Sequence, residues 1–323
     1  MKFISFCPLL IATSLVVFAA VEEPVDSRFK PTTPDPIMGD WQGTAGYVAQ
    51  VVPTESGQYE AHLFRAFDEV DAKPVAILKG AAAALSGDGW TGAIAVGHFK
   101  ASKGGESFDL QHITRQSPTE EAKPPAGAIV LFDGKNLDAW AKKSGKDWLK
   151  EDGPAKWKIL PGGVTEVVPA SDCLITHQKF GDFHLHVEFR TLGYPSNSGV
   201  YLQTRYETNI NETYGKLDGG PNAGFDNCTE NMRPRIRACY PPLAWQTYDI
   251  DFRAPRFDAN GKKTASPRAT VLFNGVKIYD EQELNKPTGA AGRLGEAPTG
   301  PIMLQEHGMP VQFRNIWLVE KSG

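Results

Sequence analysis

The segment GPIMLQEHGMPVQFRNIWLVE (residues 300–320) concentrates side chains that can take part in chemistry. Two apolar stretches meet at a Gly-Met-Pro corner, with Gln305 and His307 before the corner and Arg314 after it. A hairpin that served only the fold would need none of these three side chains. Histidine accepts or donates a proton near neutral pH, and guanidinium groups bind oxygen-rich ligands through planar hydrogen bonds. The segment therefore indicates acid–base catalysis or the binding of a hydroxyl-rich ligand.

Three other segments alternate apolar and polar residues with the period of a β-strand, at 182–190, 198–207 and 245–252. Their polar faces carry His184, His186, Glu188 and Arg190, then Tyr201, Gln203, Arg205 and Glu207, then Trp245, Thr247, Asp249 and Asp251. Amides and guanidinium groups beside carboxylates and aromatic rings suit the hydroxyl pairs and ring faces of a sugar. We expect these faces to line one carbohydrate groove on a concave sheet. A solvated sheet exterior is the alternative for any single strand.

The elements that must position these side chains are β-strands. The sequence TVLFNGVKIYD (270–280) predicts a hairpin, because Asn274-Gly275 supplies the two positive-φ residues of a type I′ turn. No helical period of useful length is present. Each strand would give its apolar face to a shared core, so the sequence predicts an all-β, two-sheet antiparallel sandwich.

A smaller domain precedes the sandwich. Gly, Ser and Asp punctuate short β-like runs at Tyr47–Val52, Tyr59–Phe64, Val75–Leu78 and Trp90–Ala95. This pattern predicts a small antiparallel β domain over residues 37–115. Pro-rich polar segments at 21–36 and 116–128 are predicted linkers, which leaves residues 129–323 for the larger domain.

The first twenty residues, MKFISFCPLLIATSLVVFAA, are predicted to be a signal peptide of 1–19 or 1–20. The mature protein would then be secreted or periplasmic. A membrane anchor is the alternative, although the apolar run is short for a span, and the sequence shows no other candidate membrane segment. The net charge of −4 without a basic stripe gives no indication of a nucleic-acid partner.

Removal of the signal peptide would leave three cysteines. In an oxidising compartment Cys228 and Cys239 could form a disulfide, with Cys173 as a small buried residue. Three buried free thiols are the alternative. No cysteine and histidine spacing matches a zinc site.

Residues 129–320 resemble the 3-keto-disaccharide hydrolase domain family. The matching motifs follow the family's order and are LFDGKNLDAW (131–140), WKILPGGV (157–164), FGDFHLHVEFR (180–190), NSGVYLQTRYE (197–207), WQTYDIDFRAPRF (245–257), VLFNGVKI (271–278) and GPIMLQEHGMPVQFRNIWL (300–318). The resemblance implies a concanavalin A-like jelly-roll sandwich. Two departures concern the polar faces: Glu306 stands where relatives often have Asp, and Asn209 stands where they have a longer amide.

The resemblance also implies cleavage of glycosides oxidised to a ketone at C3. A C3 ketone acidifies the C2 hydrogen, so a base can remove that proton and the C1 substituent can leave by β-elimination before water adds. Such a site needs a base near C2, a cation or hydrogen-bond donor at the C3 oxygen, and an acid at the leaving oxygen.

The sequence offers candidates for each role. His307 could be the acid or the base, Glu188 or Glu207 the base, and Arg190 or Arg314 the group that stabilises the enolate. The candidate substrate-binding residues are Asn197, Tyr201, Gln203, Gln305 and Trp245. Alternatives remain: His307 as a turn residue, Glu188 with Arg190 as a cross-strand ion pair, and Arg314 paired with Glu188 or Glu306.

No cofactor is certain from the sequence, but a divalent metal ion held by Glu188, Glu207 and His307 could polarise the ketone. Two other function classes stay open. A non-catalytic carbohydrate-binding module would use the same groove, and an interaction domain would instead present apolar strand edges to a cell-surface partner.

Overall fold

The computed structural model describes residues 28–54, 57–217, 224–225 and 233–322. The described strands are numbered β1 to β26 in chain order, and they pair antiparallel throughout. A short 3₁₀ helix spans Gly289–Leu294. The predicted signal peptide lies outside the described residues. No helix in the described part of the chain is long and apolar enough to cross a membrane.

The first domain is a closed barrel in which each strand pairs with the next along the chain and the last pairs with the first. Its strands are β2 Gly39–Gln42, β3 Val48–Pro53, β4 Gln58–Phe64, β5 Ala76–Ala81, β6 Ala84–Gly87, β7 Trp90–Ala95, β8 His98–Lys103 and β9 Glu106–Ile113. The four predicted strands correspond to β3, β4, β5 and β7. The other four were missed because they contain almost no β-branched residues, which are the strongest local signal for a strand.

The second domain is a sandwich of two antiparallel sheets. The eight-stranded sheet contains β10 Ile129–Phe132, β13 Lys158–Leu160, β14 Val164–Glu166, β16 Phe183–Thr191, β20 Gln246–Arg253, β23 Arg268–Phe273, β24 Val276–Glu283 and β26 Val311–Glu320. The six-stranded sheet runs in the order β12 Glu151–Pro154, β11 Trp140–Lys143, β15 Leu174–Phe180, β25 Gly300–Leu304, β18 Asn197–Leu202 and β19 Tyr206–Asn211. Two small ribbons complete the fold, β1 Lys30–Pro31 with β17 Gly193–Tyr194 and β21 Arg256–Phe257 with β22 Lys263–Ala265.

The core lies between the two sheets and is built by the predicted alternation. Leu185 and Val187 of β16 and Val200 and Leu202 of β18 are buried in one apolar cluster. The predicted hairpin joins β23 to β24, and Asn274 has the positive φ of 52° that a type I′ turn requires. The all-β fold, a small antiparallel domain followed by a two-sheet antiparallel sandwich, is confirmed. The jelly-roll connectivity stays a prediction.

Buried polar contacts join the barrel to the sandwich. Asp40 of β2 accepts hydrogen bonds from the Tyr214 hydroxyl (2.9 Å) and from Arg115 Nε (2.9 Å). Burial opposes the charge on Arg115, but its ion pairs with Asp40 and Asp68 outweigh this and raise its pKa. The barrel is therefore joined to the sandwich by a hydrogen bond from Tyr214 to a buried ion pair that belongs to the barrel.

Glu212, which follows β19, gives a pH-dependent prediction. Its carboxyl group accepts hydrogen bonds from the Thr191 hydroxyl (2.5 Å) and the Tyr214 N–H (2.9 Å), yet burial raises its pKa to about 7. A raised pKa gives stability that is fully present below about pH 4.5 and is lost as the pH rises to about 7. We expect Glu212→Gln to raise the free energy of unfolding more at pH 8 than at pH 4.5, with a difference of roughly 3 kcal/mol between the two effects.

Chemical denaturation of both proteins at several pH values measures this difference. Glu320→Gln, at the exposed end of β26, is the control and should show no such trend. A pH-independent difference between wild type and Glu212→Gln would show that folding does not raise the pKa of Glu212.

The cysteines that the structure describes, Cys173 and Cys239, are buried free thiols. Burial raises the pKa of Cys173 to about 11. Cys228, the suggested disulfide partner of Cys239, lies outside the described residues. The structure therefore shows the alternative, buried free thiols, for Cys173 and Cys239.

Candidate functional site

The polar side chains predicted to share one groove lie on opposite faces of the sandwich. Glu188 and Arg314 occupy the outer face of the eight-stranded sheet, paired across β16 and β26. Tyr201 and Glu207 occupy the outer face of the six-stranded sheet, paired across β18 and β19. The apolar core separates the two faces. The expectation of a single groove is wrong, because alternation sets the face of a strand that a residue occupies but not the sheet that the strand joins.

Part of the outer face of the eight-stranded sheet is covered by residues 117–122, which we call the strap. This segment lies within the predicted linker 116–128. Hydrogen bonds that hold it join Ser117 Oγ to Thr247 Oγ1 (2.6 Å), Thr119 Oγ1 to Asp249 Oδ2 (2.6 Å), Arg314 Nη2 to Glu120 Oε1 (2.8 Å) and Asn315 Nδ2 to the Ala122 carbonyl (2.9 Å). The chain thus covers with its own residues the part of this face at β20 and β26, which the sequence suggested for a sugar.

Glu188 is the centre of this covered face and is fully buried. Its Oε2 accepts from Arg314 Nε (2.6 Å), and its Oε1 accepts from the Glu121 N–H (2.6 Å) and from Asn315 Nδ2 (2.8 Å). Burial acts to raise the pKa of Glu188, but hydrogen bonds from His186, Asn315 and Arg314 outweigh it and lower the pKa. The alternative in which Arg314 pairs with Glu188 is confirmed. Both carboxylate oxygens are occupied by protein donors, so the structure favours a structural role for Glu188.

His186 extends the same network. Its Nδ1 lies 2.7 Å from Asp249 Oδ1, and its Nε2 lies 3.4 Å from Glu188 Oε1. Burial acts against a charged imidazole, but the bonds to Asp249 and Glu188 outweigh it and raise the pKa of His186. This buried charge cluster holds the strap and the sheet together.

Three other predicted site residues are also engaged by the chain itself. Arg190 Nε donates to Gln312 Oε1 (2.7 Å), and the guanidinium groups of Arg190 and Arg314 lie 4.7 and 4.1 Å from the Trp245 ring centroid. Gln203 lies in the turn after β18, where it is fully buried and donates to the carbonyls of Phe180 (3.0 Å) and Pro298 (3.1 Å). The expectation that Gln203 lines the groove is wrong, because the turn points its amide into the protein.

The outer face of the six-stranded sheet, which we call the site face, brings the other candidates together. The register of the sheet places one row of side chains across five adjacent strands: Ala141, Ile175, Met303, Tyr201 and Glu207. The row ends in the only carboxylate among these five side chains. Gln305 lies next to this row, because its N–H bonds to the Gly199 carbonyl (2.9 Å) on β18.

Glu207 is held by a short chain of hydrogen bonds. The Tyr201 hydroxyl donates to Glu207 Oε2 (2.6 Å) and accepts from Gln305 Nε2 (3.1 Å). The backbone N–H of Glu207 donates to Thr288 Oγ1 (2.9 Å). The carboxylate therefore has a fixed orientation on the sheet.

Two segments that the sequence did not single out pack against Tyr201, the hydrogen-bond partner of Glu207. The Trp148 ring packs edge to face on Tyr201, with centroids 6.3 Å apart, and Ala291 of the 3₁₀ helix is buried in the same cluster. We call Trp148 and the helix the cap. Lys143 Nζ and Arg293 Cζ lie 4.9 and 5.2 Å from the Trp148 ring centroid. Glu207 is only 4% exposed, and its hydrogen-bond partner Tyr201 meets the Trp148 ring, against which the two cations lie.

His307 lies at the border of the site face, two residues after Gln305. Its side chain is exposed, whereas Ser198 Oγ anchors the preceding strand end by donating to the Gln305 carbonyl (2.7 Å). Glu306 accepts a hydrogen bond from the Gly308 N–H and so fixes the corner. Asn197 begins β18 and is half-buried. Gln305, Tyr201 and Glu207 are thus brought together, with His307 and Asn197 at the open edge.

The predicted metal site does not fit this geometry. Glu188 and Glu207 lie on opposite faces of the sandwich, so they cannot hold one ion together with His307. Among the residues that the structure describes, no group of three or more His, Cys, Asp or Glu side chains is placed to hold a metal ion.

The sequence reasoning missed Lys143, Trp148 and Arg293. Trp148 and Arg293 lie in a loop and a 3₁₀ helix, where strand alternation gives no signal. Lys143 ends β11, which has only four residues. Nothing in the local sequence links these segments to β18 and β19.

Comparison with known proteins identifies relatives of the second domain. A family model described as the 3-keto-alpha-glucoside-1,2-lyase-like domain matches residues 127–319. A proposed glycosyl hydrolase from Parabacteroides distasonis is 34% identical, with a TM-score of 0.51 over 61% of this chain and 85% of that chain. A second proposed glycosyl hydrolase from the same organism is 19% identical, with a TM-score of 0.45 over 64% of this chain and 100% of that chain. Comparison with curated proteins gives no match.

Proposed function

The chain belongs to the 3-keto-alpha-glucoside-1,2-lyase-like domain family, and on this premise we propose that it cleaves 3-keto-glycosides at the site face of the six-stranded sheet. The reaction removes the C2 proton, expels the C1 substituent by β-elimination and adds water to the unsaturated sugar. Because the sequence predicts a signal peptide, we also propose that the protein acts outside the cytoplasm. The 34% identical relative, itself a proposed glycosyl hydrolase, supports a glycoside as the substrate.

Glu207 is the proposed base. A carboxylate can remove the C2 proton because the neighbouring ketone acidifies it, and a base must lie within hydrogen-bond reach of the proton that it abstracts. The observation that carries the proposal is the orientation of Glu207 by Tyr201 (2.6 Å). Shielding from water strengthens electrostatic interactions within a site.

Lys143 and Arg293, the two cations that lie against Trp148, are proposed to stabilise the enolate. Negative charge develops on the C3 oxygen when the proton leaves, and fixed positive groups lower the barrier at that step. Lys143 is almost fully buried, and its Nζ lies 3.4 Å from Asp172 Oδ1, while Arg293 is exposed. Both lie against Trp148, so a ketone beside that ring would meet two cations.

His307 is the proposed proton donor to the leaving oxygen. Its exposed position at the edge of the site face suits a leaving group that must depart into solvent. Gln305 and Asn197 are proposed to bind sugar hydroxyls there, because amides both donate and accept hydrogen bonds.

The wild-type protein tests the proposal with a chromogenic 3-keto-α-glucoside and the corresponding glucoside without the ketone. We expect aglycone release only from the keto sugar, since the C2 proton of the parent glucoside is not acidic. Loss of the C2 deuterium from labelled substrate would identify the elimination route. Equal turnover of both glucosides would contradict the mechanism, and binding without turnover would favour a carbohydrate-binding module.

A further inference from the structure

We propose that Tyr201 and Gly199 are positioning residues that together fix the orientation of the Glu207 carboxylate, the proposed base. Tyr201 holds Oε2, and Gly199 leaves the space that Oε1 occupies. This inference rests on the proposed function, because it concerns how the proposed base is held. It reassigns Tyr201, which the sequence suggested as a substrate-binding residue.

Tyr201 is placed to act on Glu207 and not on the sugar. Its ring is 1% exposed, which leaves almost no surface for a ligand. Its hydroxyl both donates to Glu207 Oε2 (2.6 Å) and accepts from Gln305 Nε2 (3.1 Å), so its rotation is fixed from two sides. A short hydrogen bond to Oε2 from a hydroxyl group that cannot rotate fixes the direction of the carboxylate group.

Gly199 provides the space for the second carboxylate oxygen, Oε1. A Cβ atom at this position would lie 2.5 Å from Glu207 Oε1, closer than such atoms approach in proteins. The Gly199 backbone does not have a left-handed φ, so an alanine could adopt its conformation. Glycine is therefore required here by the carboxylate and not by the backbone.

Other titratable groups lie on the elements around this carboxylate. They are Lys143 at the end of β11, Asp172 and Cys173 before β15, Glu306 and His307 after β25, and Arg293 on the 3₁₀ helix. Substitutions at Tyr201 and Gly199 leave all of these groups in place. A change in the pH profile of the two variants would therefore report on the contacts of Glu207 itself.

The first test is Tyr201→Phe, which removes only the hydroxyl group. We expect kcat to fall about ten- to a hundredfold with KM nearly unchanged, the range for loss of a hydrogen bond to a charged group. The acidic limb of the kcat/KM profile should move to higher pH, because the lost bond favoured the charged carboxylate. In a Glu207→Gln background the same substitution should change kcat little, since residues that act as one unit are not additive.

The second test is Gly199→Ala, with Gly105→Ala as the matched control. Gly105, in the barrel, has no left-handed φ, and a Cβ atom added there would have nothing within 4 Å. We expect Gly199→Ala to fold, because the tip of Glu207 can move, and to lose kcat by an amount similar to Tyr201→Phe. The control should keep wild-type kcat.

The outcomes separate this inference from the proposed function. If the wild-type protein does not turn over 3-keto-glucosides, the proposed function fails. If wild type is active and Glu207→Gln loses about 10²- to 10⁴-fold in kcat/KM, the function stands, and an unshifted pH profile in Tyr201→Phe would overturn the positioning role. An equal loss of kcat from Tyr201→Phe with and without Glu207 would overturn it as well.

Discussion

Glu207→Gln is expected to lower kcat/KM for a 3-keto-glucoside about 10²- to 10⁴-fold, the range for loss of a general base. The glutamine keeps the shape of the side chain, and its amide oxygen can still accept the Tyr201 hydrogen bond. The fold should therefore survive, and circular dichroism and Tm would verify this. Initial rates of aglycone release at saturating and limiting substrate measure the effect on kcat and kcat/KM.

The variant Glu188→Gln tests which outer face of the sandwich carries the active site. Both carboxylates are on strands with polar outer faces, but the strap covers Glu188 and protein donors occupy both of its oxygens. We expect this variant, assayed at a temperature where it is folded, to keep kcat/KM within about threefold, since no step of the mechanism uses Glu188. A large loss in Glu188→Gln with an active Glu207→Gln would move the site to the eight-stranded sheet.

Glu188→Ala is expected to destabilise the protein by about 3–5 kcal/mol at pH 7, the range for removing one partner of a buried ion pair. The change leaves Arg314 Nε, Asn315 Nδ2 and the Glu121 N–H without the acceptor that they share. The strap should also loosen, because one of its backbone groups bonds directly to Glu188. Urea denaturation measures the free energy of unfolding, and hydrogen exchange at Glu121 reports on the strap.

This loss of stability should depend on pH. The pKa of Glu188 is lowered in the folded protein, so its contribution is present above its ordinary pKa, near 4.5, and is lost as the pH falls through the lower folded value. The difference between wild type and Glu188→Ala should therefore shrink in acid. Glu320→Ala, at the exposed end of β26, is the control and should change stability by less than about 0.5 kcal/mol. A similar loss in both variants would mean that the buried network contributes little.

Much of the fold could be predicted from local sequence. Alternation identified the inward faces of β16, β18 and β20 correctly, because a side-chain period of two is fixed by the geometry of a strand. The Asn274-Gly275 pair predicted its hairpin, since few residues adopt two successive positive φ angles. The family motifs identified the second domain because each motif is a continuous stretch of the chain and can be read from local sequence.

The candidate site was predictable only in part. The residues of the Tyr201, Glu207 and Gln305 group were all candidates, but so were Glu188, Arg190 and Trp245, which have the same chemistry on the opposite face. The structural alternative for Arg314 could be formulated from the sequence. The strap could not, because a Pro-rich segment between two domains gives no local sign that it packs on a sheet.

By itself, the sequence determined the all-β class, the division of each strand into an apolar and a polar face, and the family of residues 127–319. The tertiary structure alone decided which strands share a sheet, and hence that Glu207 and Glu188 lie on two different sheets, which pack roughly 10 Å apart. It also packed Trp148 against Tyr201 and Arg293 against Trp148, from distant parts of the chain. The physical reason is that strand periodicity is a local property of the backbone, whereas sheet order and loop packing depend on contacts between segments far apart in sequence.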